Sequence, residues 1–221
     1  MLLPRIARAV LVPLSRVMFR PVVEGLDHIP GDGPVILAAN HVSFLDSFII
    51  PLMAPRPVAF LAKAEYFTGT GLRGLFSRTT LTAVNAIPVP RGAHRAAQAS
   101  LEAALIVLKD GHAFGIHPEG SRSRDGRLYR GRTGVAWLAL ASGAPVVPVA
   151  VIGTDRVQPV GARLPRPGRV TVRFGEPIRF GPPSGSPGRA RREATDQIMD
   201  AIAALSGQER AAEYNRLSGT A

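Results

Sequence analysis

The sequence predicts a single-domain α/β sandwich, with a mixed or largely parallel sheet flanked by helices and an amphipathic helix ahead of it. Two observations predict this class. Apolar runs of strand length alternate along the chain with segments of helical periodicity, the pattern of a sheet covered by helices. The chain also has 221 residues, 46% of them hydrophobic. A chain of that size supports one domain that hides roughly 70% of its unfolded surface.

The elements follow in order. Residues 1–24 carry Arg5, Arg8, Arg16 and Arg20 and no acid before Glu24. At ~100° per residue the arginines fall within an arc of about 120°, and Leu3, Ile6, Val10, Leu14, Val17 and Met18 gather opposite, the pattern of an interfacial helix that Pro13 weakens. The segment lacks an uninterrupted apolar core and a cleavage-site pattern, so it does not read as a signal peptide. Pro34–Ala39 reads as a buried strand. Ser43, with Asp46 three residues on, then marks a helix start before the apolar run Phe44–Leu52.

Val58–Ala62 and Ala86–Val89 are further strands. A helix is predicted over Arg95–Lys109, with Leu101, Ala104, Leu105 and Leu108 on one face and Gly111 to end it. His112–Ile116, Val146–Ile152 and Val170–Phe174 complete the strands, with a short helix over Thr133–Ala141. The run Val135–Gly153 has nineteen uncharged residues, the length of a membrane span, but Ser142, Gly143, Ala144 and Pro145 divide it into helix and strand. A Pro/Gly/Ser tract beyond Gly181 leads to a last helix with Ala194, Ile198, Ile202 and Leu205 on one side. The expected division is a membrane-associating segment over 1–24, one domain over 25–206 and a polar tail over 207–221.

Composition narrows the function. With no cysteine, thiolate nucleophiles, disulfides and cysteine metal sites are excluded. The formal charge is +11, and since Lys63 and Lys109 are the only lysines among 27 basic residues, arginine supplies nearly all of it. Arginine forks suit phosphate, so anionic partners are expected: a phosphorylated substrate, an anionic membrane surface, an acidic carrier protein or nucleic acid. Gly69-Thr70-Gly71-Leu72-Arg73-Gly74 spells a dinucleotide fingerprint, but no acid lies between Glu65 and Glu102 to meet a ribose, and a flexible loop is expected there. His112 and His117, five apart in an extended segment, point to opposite faces and make no metal pair.

Two constellations carry chemistry. In Asn40-His41-Val42-Ser43-Phe44-Leu45-Asp46 an imidazole ends a strand and a carboxylate enters the next helix. A carboxylate on one ring nitrogen fixes the tautomer and leaves the other nitrogen to accept a proton from a hydroxyl. The spacing alone equally allows Asp46 to be a helix cap for Ser43. In His117-Pro118-Glu119-Gly120-Ser121-Arg122-Ser123-Arg124, followed by Arg127, Arg130 and Arg132, five arginines fall within eleven residues. Glycine there permits close approach of a ligand, and arginines at alternate positions can fork a phosphate. Glu119 is placed to hold a guanidinium or a glycerol hydroxyl, whereas a solvated charged loop is the alternative.

With these two segments the chain resembles the bacterial glycerolipid acyltransferases typified by 1-acylglycerol-3-phosphate acyltransferase. N-H-x-x-x-x-D matches Asn40–Asp46 and P-E-G-x-R-S matches Pro118–Ser123. Ala86-Ile87-Pro88-Val89-Pro90-Arg91 is similar to the family's apolar block ending in arginine, and Val146-Val147-Pro148-Val149-Ala150 to its valine-rich strand. The blocks stand in the family's order across roughly residues 25–180. His117 stands where the family usually has an aromatic or apolar residue.

The resemblance implies His41 as general base and Asp46 as its orienting partner. It also implies a substrate-binding set of Arg91, Glu119, Gly120, Ser121, Arg122 and Arg124, to which Lys63 at a strand end is added. It implies acyl-CoA or acyl carrier protein as donor and a lysophospholipid acceptor. With such a substrate, the segregation of Arg5, Arg8, Arg16 and Arg20 from the apolar face leads to the expectation of peripheral attachment to the cytoplasmic face of the cell membrane. The chemistry calls for no metal, cofactor or covalent intermediate. A basic module that binds membranes or nucleic acid without catalysis rests on charge alone, and with 6% aromatic residues and no nucleic-acid motif no nucleic acid is expected as partner.

Overall fold

The computed structural model describes residues 3–89, 93–182 and 185–216. The chain runs α1 (Leu3–Phe19), β1 (Val22–Glu24), β2 (Val35–Ala39), α2 (Asp46–Met53), β3 (Val58–Lys63), α3 (Gly71–Ala83), β4 (Ala86–Val89) and α4 (Ala93–Lys109). It continues with β5 (Ala113–Ile116), α5 (Gly134–Ser142), β6 (Val146–Ile152), α6 (Thr154–Val157), β7 (Thr171–Phe174) and α7 (Pro187–Ser206). The strands form one seven-stranded sheet in the order β1-β7-β6-β2-β5-β3-β4. Only the β6–β7 pairing is antiparallel.

Strand alternation divides the core into two layers. Val35, Leu37 and Ala39 of β2, with Val147, Val149 and Val151 of β6, pack against Ile49 and Ile50 of α2 and Phe19 of α1. Ile36, Ala38 and Val146 face the other way, toward Leu108 of α4, Leu138 of α5 and Ile198 and Ile202 of α7. Helices therefore cover both faces, and β2 and β6 are apolar on both sides, as buried parallel strands are. The long apolar run divides where expected. Gly143 closes α5 at φ +68 with its amide on the Ala139 carbonyl, and β6 follows.

Three elements are not foreshadowed by the pattern. β1 has three residues and gains its place only by pairing with β7. α6 is a single turn. The third is α3, where a flexible loop is expected. It opens on Gly71 at φ +66 and holds Gly74 inside, an interior glycine costing about 1 kcal/mol relative to alanine, which hides it from propensity. Gly74 is there for a steric reason, since a Cβ at that position would fall 1.9 Å from the Gly69 carbonyl oxygen. α3 packs on α1.

α1 is continuous through Pro13, whose ring lies on the exposed side, where water can reach the Ala9 carbonyl that lacks its helix donor. Its body-facing side carries Leu11, Val12, Met18 and Phe19. Arg8 also turns inward and donates to the Pro51 and Ala54 carbonyls at the end of α2. Ile6, Val10, Leu14 and Val17 stay exposed on the outer side. The amphipathic reading thus resolves into three sectors. One is packed and includes Arg8 and Met18, one is an uncovered apolar stripe, and Arg16 and Arg20 are exposed beside it. Among the described residues no helix is long and apolar enough to cross a membrane.

Candidate active site

The strands β5, β2 and β6 are adjacent, and their carboxyl ends meet at one part of the sheet, where open α/β sheets place their ligand sites. His41 follows β2, His117 follows β5, and Thr154 follows β6. Asn40 makes the join. Its side-chain amide donates to the Val151 carbonyl at 2.9 Å and accepts the Val151 amide at 2.7 Å, continuing the β2–β6 ladder where the backbone leaves it.

His41 Nδ1 lies 3.0 Å from Asp46 Oδ2. The same oxygen accepts the amides of Val42 and Ser43 at 2.8 Å each, and Oδ1 accepts the Thr154 hydroxyl at 2.5 Å. One oxygen therefore meets both the amides of the turn ahead of α2 and the imidazole. A carboxylate only accepts, so the hydrogen sits on Nδ1 and Nε2 keeps its lone pair. Asp46 is fully buried, while the His41 side chain retains 15% exposure. The arrangement leaves Nε2 with its lone pair on a partly exposed side chain and keeps the anion buried.

The loop after β5 grips the peptide of His41 from both sides. Glu119 Oε1 accepts the His41 amide at 2.9 Å, and the Ser123 amide donates to the His41 carbonyl at 2.7 Å. Glu119 Oε2 takes the Tyr129 amide at 2.9 Å, and the residue is fully buried. Where the sequence reading put a guanidinium or a hydroxyl against this carboxylate, the structure puts two backbone amides. Burial raises its pKa to about 7, against the lowering effect of those amides. Gly120 turns the loop at φ +78, a conformation glycine adopts without strain, and its amide returns to the His117 carbonyl.

Residues 207–216, expected as a polar tail, lie against this loop. The Ser121 hydroxyl donates to the Arg216 carbonyl at 2.7 Å, so it too is engaged within the protein. Leu128 exchanges backbone bonds with Glu209 and Ala211, and Arg130 donates through its amide to Glu213. Of the five arginines, Arg127 pairs with Asp125 at 2.8 Å, and Arg130 and Arg132 lie over the Tyr214 ring at 5.1 and 5.5 Å. Arg122 and Arg124 are exposed and have no partner among the described residues. Lys63 ends β3 with its backbone paired to Val89. Arg91 lies outside the described residues.

Sequence reasoning missed Thr154 and Tyr129 as parts of the site, and quoted Asn40 as a motif position without a role. Thr154 had one available signal, a hydroxyl residue one glycine beyond the buried strand β6. His117 was visible as the residue opening the second segment and as a departure from the family pattern, with no role at the base. Its ring stacks on His41 with centroids 3.9 Å apart and planes 8° from parallel. Among the described residues no group of three or more His, Asp or Glu side chains is arranged to hold a metal.

Residues 20–152 match the sequence profile of the acyltransferase family. The chain is 30% identical over 158 residues to a chloroplastic 1-acyl-sn-glycerol-3-phosphate acyltransferase of Arabidopsis thaliana, 71% of this chain and 43% of that protein. It is 27% identical over 180 residues to a 1-acyl-sn-glycerol-3-phosphate acyltransferase of Bacillus subtilis, 80% of this chain and 83% of that one. The chain spans about half the length, or somewhat less, of the plant relatives it matches. The crystal structure of the 1-acyl-sn-glycerophosphate acyltransferase PlsC from Thermotoga maritima superposes with a TM-score of 0.67 at 27% identity, over 92% of this chain and 78% of that one. The matched region contains both the Asn40–Asp46 and Pro118–Ser123 segments, and the chain belongs to the acyltransferase family of the 1-acylglycerol-3-phosphate acyltransferases.

Proposed function

We propose that this protein transfers a fatty acyl group from a thioester, acyl-CoA or acyl-ACP, to the free hydroxyl of 1-acylglycerol 3-phosphate, giving phosphatidic acid. The observation that carries the proposal is the His41–Asp46 pair, with Nδ1 held by a buried carboxylate and Nε2 left as acceptor. His41 Nε2 takes the hydroxyl proton as the oxygen attacks the thioester carbonyl, and Asp46 stabilises the imidazolium that forms. The tetrahedral intermediate then expels the thiolate, which recovers the proton from Nε2. Acyl, proton and thiol balance without a covalent enzyme intermediate.

The acceptor phosphate binds Arg122 and Arg124, the two loop arginines without a partner among the described residues, with Arg91 and Lys63 as further contributors. Glu119, Gly120 and Ser121 serve the same site as supports of the loop. Residues 1–24 attach the protein peripherally to the cytoplasmic face of the membrane. The uncovered Ile6, Val10, Leu14 and Val17 enter the lipid boundary, and Arg16 and Arg20 meet anionic headgroups. Residues 25–206 hold the catalytic machinery, and residues 207–216 brace its loop.

Incubating the protein with 1-acylglycerol 3-phosphate, glycerol 3-phosphate and neutral lysolipids, each with acyl-CoA and acyl-ACP, tests the reading by product mass. Phosphatidic acid is the expected main product. A preference for glycerol 3-phosphate or a neutral lysolipid overturns the acceptor assignment.

A further inference from the structure

We infer that His117 is a positioning residue for the base, a rigid plate whose face fixes the ring plane of His41. This rests on the reading of His41 as general base and adds to it.

The covalent bond at Cγ and the hydrogen bond at Nδ1 hold one edge of the His41 ring, and torsion about Cβ–Cγ can still tilt its plane. A contact over the ring face opposes that tilt. His117 supplies it, at 3.9 Å between centroids and 8° from parallel. The plate is itself tied down on three sides. Its Nδ1 lies 3.2 Å from the Ala39 carbonyl and 3.1 Å from the Asn40 carbonyl, and its Nε2 lies 3.1 Å from Ser47 Oγ. Carbonyls only accept, so Nδ1 carries the hydrogen, and Nε2 accepts from Ser47. Behind it the Phe60 ring lies 5.5 Å away. Phe60 can sit there because residue 115 is glycine, where a Cβ would fall 2.0 Å from the Phe60 ring.

The titratable groups that act on His117 among the described residues are His41 and Asp46. Loss of water around its charged form, followed by the proximity of His41, pushes it down to about 3. A neutral plate adds no repulsion when His41 takes up a proton. A plain apolar residue would keep the contact but leave the two carbonyls and the Ser47 hydroxyl without this partner.

The test combines kinetics and nitrogen-15 NMR of the imidazoles in the full chain, with 1-acylglycerol 3-phosphate and acyl-CoA as probes. His117→Ala is expected to lower kcat by roughly 10- to 100-fold, with acceptor KM changed by less than about 3-fold. His117→Phe, which restores a flat ring, is expected to recover most of that loss. In the wild-type protein the His41 ring protons carry a ring-current shift, and His117 stays neutral with hydrogen on Nδ1 from pH 5 to 8. This readout stands even if His117→Ala does not fold. Wild-type kcat in His117→Ala, equal loss in the Ala and Phe variants, or a His117 that titrates near its ordinary value overturns the inference. Full turnover in His41→Ala overturns the base reading itself, and the role assigned to His117 with it, whereas a required His41 beside a dispensable His117 overturns the positioning role alone.

Discussion

Oε1 of Glu119 accepts the backbone N–H of His41 at 2.9 Å, so the acid of one motif holds the main chain of the other, 78 residues away. Together with the bond from the Ser123 amide to the His41 carbonyl, it makes the position of the imidazole a property of the loop after β5. Glu119→Gln replaces one accepting oxygen by a donor that faces an amide, and a stability loss of about 1–3 kcal/mol is expected with a fall in kcat. The pH dependence adds a sign. Burial holds Glu119 at about 7 against an ordinary 4.5, so between those values the folded protein binds more protons here than the unfolded one. The stability tied to that proton is present at low pH and lost as pH rises through 7. The stability of wild type minus that of Glu119→Gln should therefore be larger at pH 5 than at pH 8 in denaturant titrations, and the opposite trend would refute the buried-acid account.

Asp46 serves the cap and the imidazole through one oxygen, which makes its two roles inseparable by substitution of Asp46 alone. Thr154→Val separates them in part, because it removes only the donor to Oδ1. Asp46→Asn is expected to lower both stability and turnover, and Thr154→Val to cost about 1–2 kcal/mol with a smaller rate loss. Thermal melts beside initial rates would decide. Unchanged turnover in Asp46→Asn with reduced stability would reduce Asp46 to a cap.

Arg122 is expected to act on the acceptor rather than on folding, because it is exposed and unpaired among the described residues. Arg122→Ala should raise the acceptor KM more than the donor KM. Arg122→Lys should recover only part, since a point charge replaces a two-pronged donor. Equal effects on both substrates in steady-state kinetics would count against a phosphate contact.

For membrane attachment, removing α1 is the wrong experiment, since Phe19 is in the core and Arg8 ties down α2. Aspartate at Val10 and Val17, both exposed, leaves those contacts intact. These changes should abolish the salt-resistant part of liposome flotation, and Arg16→Ala with Arg20→Ala the part that fades with salt. Unaltered flotation of both pairs of variants would move the contact elsewhere.

The sheet and the His41–Asp46 pair were legible because their signals are local. β2 and β6 are unbroken apolar runs, and His41 and Asp46 lie five residues apart across a helix start. The supports were not legible because they close over distance. Thr154 meets Asp46 across 108 residues, and Ser121 meets Arg216 across 95. Glu119 was recognised as important, but its two backbone-amide partners were not legible, since nothing in its neighbours' side chains announces them. The helix α3 was lost to its glycines, and the strap over 207–216 to a polar composition that reads as solvated.

The central claim is that His41 Nε2 removes the acceptor's proton. His41→Ala, assayed for phosphatidic acid formation from 1-acylglycerol 3-phosphate and acyl-CoA with folding checked by thermal melt, tests it most directly. A loss of at least ~10²-fold in kcat with the fold retained is the predicted result. Turnover near that of the wild type in the folded variant would contradict it.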